Sequence, residues 1–381
     1  MVLSRIEAWK RAAHTRIGEQ LFRKARADFE AGTFSTLQPS VRVAKALAAL
    51  ILATPIAMLL LGLYVVTLDF PNLITLVIGG VLTACGVYVF PWSRKLPEGG
   101  FRREDLPELF ALCDEVGARI GAKPLTLIYI TDDINAFYTE HRGERAMGIG
   151  LGLWVIATPQ ERVSVIAHEM AHMVNNDVAR SGILSLALSA LERWYYLFGD
   201  SEIFDHEGYL LRERDGSEMF ADGIMGILRG IVGTIWSVLT RLTFADSQRS
   251  EYLADAVSTR AGGVGSATSM LSKLALIPLV DAELRGLVPS YVKDGTAFYA
   301  RITKAVTNVD SAERAKLTDK MVEEHHSVDM SHPPTFQRIA FLSDLAEPDQ
   351  GPITYRQEVD AEIAPHIERI GAEILRSLEI Q

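Results

Sequence analysis

Two long uncharged stretches most constrain what this chain of 381 residues can fold into. Ala46–Leu68 has no charged residue over 23 positions, Phe70–Ser93 has none over 24, and only Asp69 separates them. As helices, both stretches are about 30 Å or more in length, which is enough to cross the hydrocarbon core of a bilayer. The alternative is a buried hairpin in a soluble protein. We expect a transmembrane hairpin, with Pro71 near the start of its second helix.

The charges around the hairpin predict its orientation and narrow the class of protein. Residues 1–45 hold nine lysines and arginines against four acidic residues, a net +5, whereas the loop between the two stretches has no basic residue. The positive-inside rule then places both ends of the hairpin in the cytoplasm. The whole chain carries −10, so the remainder carries −15, which argues against a nucleic-acid partner.

Other features give weaker expectations. Apolar residues recur every three or four positions in Ser4–Glu30, which predicts an amphipathic helix that lies either on an anionic membrane surface or on the protein's own body. Cys85 and Cys113 are the only cysteines, and they suggest neither a disulfide framework nor a cysteine zinc site. A reducing compartment fits this cysteine usage.

His168-Glu169-Met170-Ala171-His172 reads HExxH within a strongly apolar segment. Residues four apart share one face of a helix, so His168 and His172 can bind one metal ion, with Glu169 placed to hold a water molecule there. The alternative is a buried helix with two chance histidines. The helix start is well defined: Thr158 can cap it, and Glu161 completes a capping box.

The surrounding segments predict a mixed fold. An amphipathic pattern over residues 104–120 indicates a helix that stops at Gly121. Leu125–Thr131 reads as a strand, and Met147–Ile156 is a second strand candidate that contains three glycines.

A third metal ligand would be an acidic residue on another helix. Ser247–Ala261 has a helical pattern in which Glu251 and Asp255 lie four apart on one face. One carboxylate can bind the metal, and the other can accept the free N–H of a ligating histidine. The alternative is a pair of ordinary acidic residues on a helix surface.

Together these segments resemble the HtpX and CAAX prenyl endopeptidase family of membrane zinc metallopeptidases. The resemblance covers roughly residues 104–345, and the HExxH and Glu-x-x-x-Ala-Asp motifs are its specific part. The matching stretches occur in the family's order: Asn135-Ala136-Phe137, Thr158–Glu161, His168–Asp177, Ser247–Asp255 and Ser331–Ile339.

The resemblance implies an α+β fold that is mainly helical. A zincin-like metalloprotease domain with a small antiparallel sheet would follow the two-helix transmembrane hairpin. The expected divisions are a basic N-terminal region at 1–45, the hairpin at 46–93, the metalloprotease domain at 94–345 and a helical tail at 346–381.

The resemblance also implies the roles of the central site residues. His168, His172 and Glu251 would hold one Zn²⁺ per chain, with water in the open fourth position. Asp255 would accept a hydrogen bond from His168. Glu169 would be the general base.

Four further residues have roles only by this likeness. His332 would stabilise the oxyanion or occupy the fourth zinc position; the alternative is a plain turn before the next helix. Arg338 would brace Glu251 or the reaction intermediate. Asn175 and Asp177 match the family pattern and would have a structural role near the site.

In this family the substrate lies on the strand before the active helix, which here is Met147–Leu153. An extended peptide would add to that edge along Gly148, Ile149, Gly150 and Leu151. The alternative is a merely flexible strand.

The chain departs from HtpX-like relatives, which carry two further membrane helices between the second histidine and the glutamate. Ser181–Leu191 is too short for a span. Gly223–Leu239 contains Arg229, which favours a buried helix of the protease body over a third span. Its four glycines form one stripe that favours close helix packing: Gly223, Gly226, Gly230 and Gly233.

The sequence therefore predicts a membrane-anchored zinc metalloendopeptidase, in a bacterial inner membrane with its catalytic body in the cytoplasm. Expected substrates are misfolded membrane proteins, by the likeness to HtpX. The alternatives are a CAAX-type processing protease, a latent or non-catalytic membrane adaptor, and a metal hydrolase that does not cleave peptides. The oligomeric state is not predicted.

Overall fold

A computed structural model describes residues 20, 22–27, 39–92, 96–175, 177–198, 216–323 and 333–379. The chain divides into two compact units. The hairpin unit comprises Leu37–Arg94 and Ala179–Asp246. The body unit comprises the N-terminal segment, Lys95–Val178 and Ser247–Gln381.

The hairpin unit contains the expected pair of helices, α1 at Pro39–Leu68 and α2 at Leu73–Val89. The side chain of Asn72 caps α2 by accepting a hydrogen bond from a backbone N–H in the first turn of the helix. The helix therefore begins just after Pro71, close to the predicted start. Ser40–Leu68 is long and apolar enough to cross a membrane, by length and composition. With 17 residues, α2 is shorter than predicted and lies at the lower limit for a span.

Helices α6, Asp177–Leu197, and α7, Gly216–Gly262, also contribute to the hairpin unit. The expectation that Gly223–Leu239 is a buried helix of the body is wrong, because this stretch lies in the hairpin unit and Ile227 is 66% exposed. Gly223–Gly262 is the second helix that is long and apolar enough to cross a membrane.

The glycines and the arginine of this part of α7 differ in their contacts. A side chain added at Gly223, Gly226 or Gly230 would meet no atom of the described residues within 4 Å, so the predicted glycine packing is absent there. The guanidinium of Arg229 lies 4.3 Å from the ring centre of Tyr195, a cation–π contact that offsets its charge.

The body unit begins with α3, Pro107–Ile120, and a three-stranded sheet. The strands are β1 at Leu127–Thr131, β2 at Ala136–His141 and β3 at Glu144–Gly150, in the order β1-β3-β2. The sheet is mixed, because β3 runs antiparallel to β2 and parallel to β1. The predicted antiparallel sheet is corrected accordingly: β2 and β3 form a hairpin, and β1 runs alongside its second strand.

The predicted strand over Met147–Ile156 ends early. Its first residues belong to β3, and Leu151–Ile156 forms the short helix α4. The missed strand is β2, which a tight turn at Arg142 and Gly143 connects to β3. Both turn residues have positive φ, 50° and 87°, as two-residue hairpin turns require.

Helix α5, Pro159–Val174, has the predicted start, with Thr158 and Glu161 forming a capping box. The remaining elements of the body are α8 Val264–Leu274, α9 Ile277–Arg285, a 3₁₀ turn Pro289–Tyr291, α10 Gly295–Thr307, α11 Ser311–Glu323, α12 Thr335–Ser343 and α13 Glu358–Glu379. Helix α13 buries Val359 and Ile363 completely in the main core, so residues 346–379 are part of the body and do not form a separate tail.

Part of the N-terminal region also packs on the body. Residues 22–27 are helical, and Ala25 is 2% exposed in a cluster with Tyr252 and Phe341. Phe22 meets Tyr252 edge-on, with ring centres 6.0 Å apart. Of the two expected positions, these residues take the one on the protein's own body; most of Ser4–Glu30 lies outside the described residues.

Candidate metal centre

Helix α5 carries two histidines towards a cavity because its opposite face is held in the core. Met170 and Ala171 are fully buried, whereas the side chains of His168 and His172 remain 15% and 19% exposed. Spaced four apart, the two imidazole rings lie with their centres 5.0 Å apart.

Glu251 of α7 completes a group of three possible metal ligands. Its Oε2 lies 3.5 Å from His168 Nε2, and its Oε1 lies 3.7 Å from His172 Nε2. One ligand atom from each residue lies within 4.8 Å of the others. Ligands bound tetrahedrally to Zn²⁺ are roughly 3.4 Å apart, so this donor set of two nitrogens and one carboxylate fits a zinc ion.

Asp255, one turn further along α7, orients the first histidine. Its Oδ1 lies 3.0 Å from His168 Nδ1. When Asp255 accepts a hydrogen bond from Nδ1–H, the neutral imidazole has its lone pair on Nε2, which faces Glu251 and the metal position. This contact fits the role that the sequence suggested for Asp255.

Arg338 of α12 joins this network from the C-terminal part of the chain. It donates two hydrogen bonds to Asp255, from Nε at 2.7 Å and from Nη2 at 2.6 Å. Its Nη1 lies 3.4 Å from Glu251 Oε2. All three side chains are buried, so the guanidinium balances carboxylates that water cannot solvate. Arg338 was expected to brace Glu251 or the reaction intermediate, and these contacts fit a role in bracing carboxylates.

These contacts outweigh burial in setting the protonation of the site. Burial lowers the pKa of His168, but hydrogen bonds to Asp255 and Glu251 raise it to about 10. Burial raises the pKa of Glu251, but His168 and Arg338 lower it to about 2. In the metal-free protein at neutral pH, the carboxylates of Glu251 and Asp255 are therefore ionised, and His168 is protonated on both ring nitrogens.

A cavity of about 470 Å³ opens beside these residues. Glu169 lines it together with both histidines. Asn135, Ala136, Phe137 and Tyr138 form another side. The first residues of β2 and the two histidines therefore line one cavity.

The expected substrate strand needs correction. Strand β3 is hydrogen-bonded on both sides, so Gly148, Ile149 and Gly150 cannot receive a third strand, and Leu151 is helical. A side chain at Gly148 would collide with the Phe137 ring, and one at Gly150 with the backbone before β2. Gly148 and Gly150 thus make room for neighbouring parts of the same chain, namely the Phe137 ring and the backbone before β2. Among the described strands, the outer side of β2 is the free edge next to the cavity.

Three of the predicted site residues have no described contact with the metal centre. His332 lies outside the described residues, and so does the side chain of Asp177, the first residue of α6. Asn175 ends α5, and its buried Nδ2 has no hydrogen-bond partner among the residues that the structure describes. Its structural role stays a prediction.

The sequence did not reveal the groups that α8 contributes. Ser269 and Lys273 bind Glu161, at Oγ–Oε1 2.7 Å and Nζ–Oε2 2.6 Å, across more than 100 positions of the chain. The apolar face of α8 lines the cavity. Even where a helical pattern is recognised, periodicity alone does not identify the neighbour of a helix.

Comparison with known proteins points to one family. Residues 108–346 match the family described as Peptidase family M48. A protease HtpX homolog of Gemmatimonas aurantiaca is 29% identical over 248 residues, 64% of this chain and 77% of that relative. A protease HtpX homolog of Syntrophobacter fumaroxidans is 29% identical over 161 residues, and the match spans about half, 52%, of its length. Protease HtpX of Pseudomonas aeruginosa is 25% identical over 222 residues, 51% of this chain and 71% of that protein.

A solved structure also aligns with the chain. The crystal structure of S. mikatae Ste24p is 15% identical, and the alignment covers 87% of this chain and 75% of that one. The TM-score is 0.31, which is too low to equate the two folds.

Proposed function

The chain belongs to peptidase family M48, and from this premise we propose that it is a membrane-anchored zinc metalloendopeptidase. The observation that carries the proposal is the grouping of His168, His172 and Glu251 as possible ligands of one metal ion, beside a cavity lined by both histidines and Glu169. Two nitrogen ligands and one carboxylate leave a fourth position open, which is typical of catalytic rather than structural zinc sites.

The residues of the chain divide the chemistry among them. Zn²⁺, when bound, acts as a Lewis acid that makes water more acidic and polarises the carbonyl of a peptide bond. Glu169 accepts the proton of the attacking water and returns it to the leaving amine. Asp255 holds His168 in the required tautomer, and Arg338 keeps Asp255 ionised and in place.

We propose that β2 binds the substrate backbone. The amide of Gly150 donates to the carbonyl of Asn135 at 2.8 Å, and hydrogen-bonded pairs alternate along the hairpin from there. The backbone groups of Ala136 and Tyr138 therefore point away from β3, towards the free edge. An extended peptide can add to this edge as another strand and pass along the cavity.

The proposed setting is a bacterial inner membrane, with the body in the cytoplasm and misfolded membrane proteins as substrates. The charge asymmetry around the hairpin supports this orientation. The similarity to proteins named protease HtpX supports a peptide or protein substrate. The CAAX-type and adaptor alternatives make different predictions for the following experiment.

The test is cleavage of an unfolded protein by the full chain, purified in detergent and loaded with zinc, beside Glu169→Gln. We expect the wild type to cleave and the variant to lose activity by at least about 100-fold, because the proton acceptor is gone. Both proteins should retain one zinc per chain. Glu98→Gln, in an exposed loop, is the matched control and should keep full activity.

The other outcomes identify the alternatives. Zinc-loaded wild type without activity on any unfolded protein would favour the adaptor. Activity on prenylated peptides alone would favour the CAAX-type protease. Equal cleavage by wild type and Glu169→Gln would show that Glu169 is not the general base.

A further inference from the structure

One wall of the metal cavity is apolar and comes mainly from a single helix. Ala267, Met270, Leu271 and Leu274 of α8 line the cavity. Val165, on helix α5, also lines the cavity. A face of this kind can bury an apolar side chain, and such burial contributes about 25 cal/mol for each Å² removed from water.

The charged groups that line the same cavity are already engaged. His168, Glu169 and His172 belong to the proposed catalytic centre, while Asp255 and Arg338 bind each other through two hydrogen bonds. The described residues of the apolar wall carry no charge. The wall therefore has no group that could offset the charge of a substrate side chain. Burial of a charged side chain there would therefore be strongly unfavourable.

The wall and the first residues of β2 line the same cavity. Side chains of an added strand alternate between its two faces, so every second one can enter the cavity beside the metal ligands. We propose that the α8 wall is the pocket that selects a large uncharged side chain, such as leucine or phenylalanine, next to the cleaved bond. This inference rests on the proposed peptidase function and adds the class of peptide.

Glu161 holds the α8 wall at a fixed distance from helix α5, which carries His168 and His172. Its carboxylate accepts the Thr158 amide at the start of α5 and also binds Ser269 and Lys273 of α8. Lys273 Nζ donates a further hydrogen bond to the carbonyl of Ile156 at 2.8 Å. One buried carboxylate thus joins the active helix to α8, so the pocket has a defined size and its size can be changed by substitution.

The test measures binding and cleavage separately, in the zinc-loaded full chain in detergent. The binding probes are short peptide hydroxamates that differ in one side chain beside the hydroxamate: isobutyl, methyl or carboxymethyl. Calorimetry gives their Kd values, and mass spectrometry of a digested peptide library gives the cleaved positions. Ala267→Leu fills the pocket, and Ser272→Ala, on α8 but away from the cavity lining, is the matched control.

We expect the wild type to bind the isobutyl probe about tenfold or more tightly than the methyl probe, and on the order of 100-fold more tightly than the carboxymethyl probe. Ala267→Leu should reduce the isobutyl-to-methyl ratio about tenfold, while Ser272→Ala should leave it unchanged. Because each ratio is measured within one protein, partial unfolding does not alter it. Met270→Ala should enlarge the pocket and favour an indole side chain over isobutyl.

The possible results separate this inference from the proposed function. Equal Kd values for the three probes, or the same ratio in Ala267→Leu as in wild type, would overturn the pocket assignment even if the protein cleaves peptides. The expected ratios without any Glu169-dependent cleavage would support the pocket and overturn the peptidase function. Cleavage mainly beside acidic or basic residues would also overturn the assignment.

Discussion

Asp255 illustrates how one residue supports the site through two partners. Its carboxylate accepts a hydrogen bond from His168 Nδ1–H and two more from Arg338. Asn at this position would keep one acceptor oxygen, but it would remove the charge that balances the buried guanidinium.

We therefore expect Asp255→Asn to weaken zinc binding about 10- to 100-fold, the usual range for the loss of a hydrogen-bond partner of a ligating histidine. Competition with a chromophoric chelator measures this affinity. Asp281→Asn, on the exposed face of α9, is the control and should not change it. An unchanged affinity in Asp255→Asn would show that Asp255 does not orient His168.

The protonation of His168 gives a pH prediction. Its hydrogen bonds to Asp255 and Glu251 raise its pKa to about 10, so in the metal-free protein it is protonated at pH 7. Zinc binds only the deprotonated nitrogen and must displace this proton. Rising pH reduces the competition, so we expect zinc affinity to increase about tenfold per pH unit between pH 6 and 9.

Calorimetry of zinc binding in buffers of different ionisation enthalpy tests this directly, and about one proton should be released per zinc at pH 7. Zinc affinity that is flat over this range, with no proton released, would mean that His168 is already neutral without metal.

The residue scale also shows what the sequence could and could not reveal. The candidate ligands were readable because His168 and His172, and likewise Glu251 and Asp255, have the local spacing that puts them on one helix face. The partner of Arg338 was not readable, because Asp255 lies 83 positions away and two candidate roles fitted the motif equally.

At the scale of elements, the junction between α5 and α8 depends on a buried ion pair. Glu161 is 3% and Lys273 13% exposed in their side chains, and the two meet at 2.6 Å. Burial raises the pKa of Glu161, but its hydrogen bonds to Lys273, Ser269 and Thr158 lower it overall, so Glu161 is ionised at neutral pH.

Lys273→Met should destabilise the body by about 3–5 kcal/mol, because it leaves the Glu161 carboxylate buried without its countercharge. Urea unfolding in detergent, followed by the fluorescence of the body, measures the loss. The double variant Lys273→Met with Glu161→Gln should recover part of it, since no buried charge then remains. If the double variant were less stable than the single one, the carboxylate would be solvated rather than paired.

Helices were predicted from sequence more accurately than strands. The start of α5 and the left-handed Gly121 at the end of α3 depend on neighbouring residues alone, and both are found as expected. Which strand lies at the edge of the sheet depends on where the chain passes after β1, and a local pattern does not encode that. The glycines of β3 therefore indicated a close backbone correctly, but that backbone is the chain's own.

At the scale of the whole molecule, the charge asymmetry predicts which side of the membrane each segment faces. In a variant without Cys85 and Cys113, Asp69→Cys should react with a membrane-impermeant maleimide added to intact cells. Glu104→Cys, at the start of the body, should react only after the cells are opened. The reverse pattern would place the body outside the cytoplasm.

The pairing of Asp255 with Arg338 also has a consequence for synthesis. The HExxH helix and Glu251 leave the ribosome first, and the guanidinium that balances the carboxylates is 83 positions behind Asp255. At about 5–20 residues per second, translation of that interval takes roughly 4–17 s. During this time Glu251 and Asp255 lack the guanidinium that balances their charge, so the buried network can form only after Arg338 has also left the ribosome.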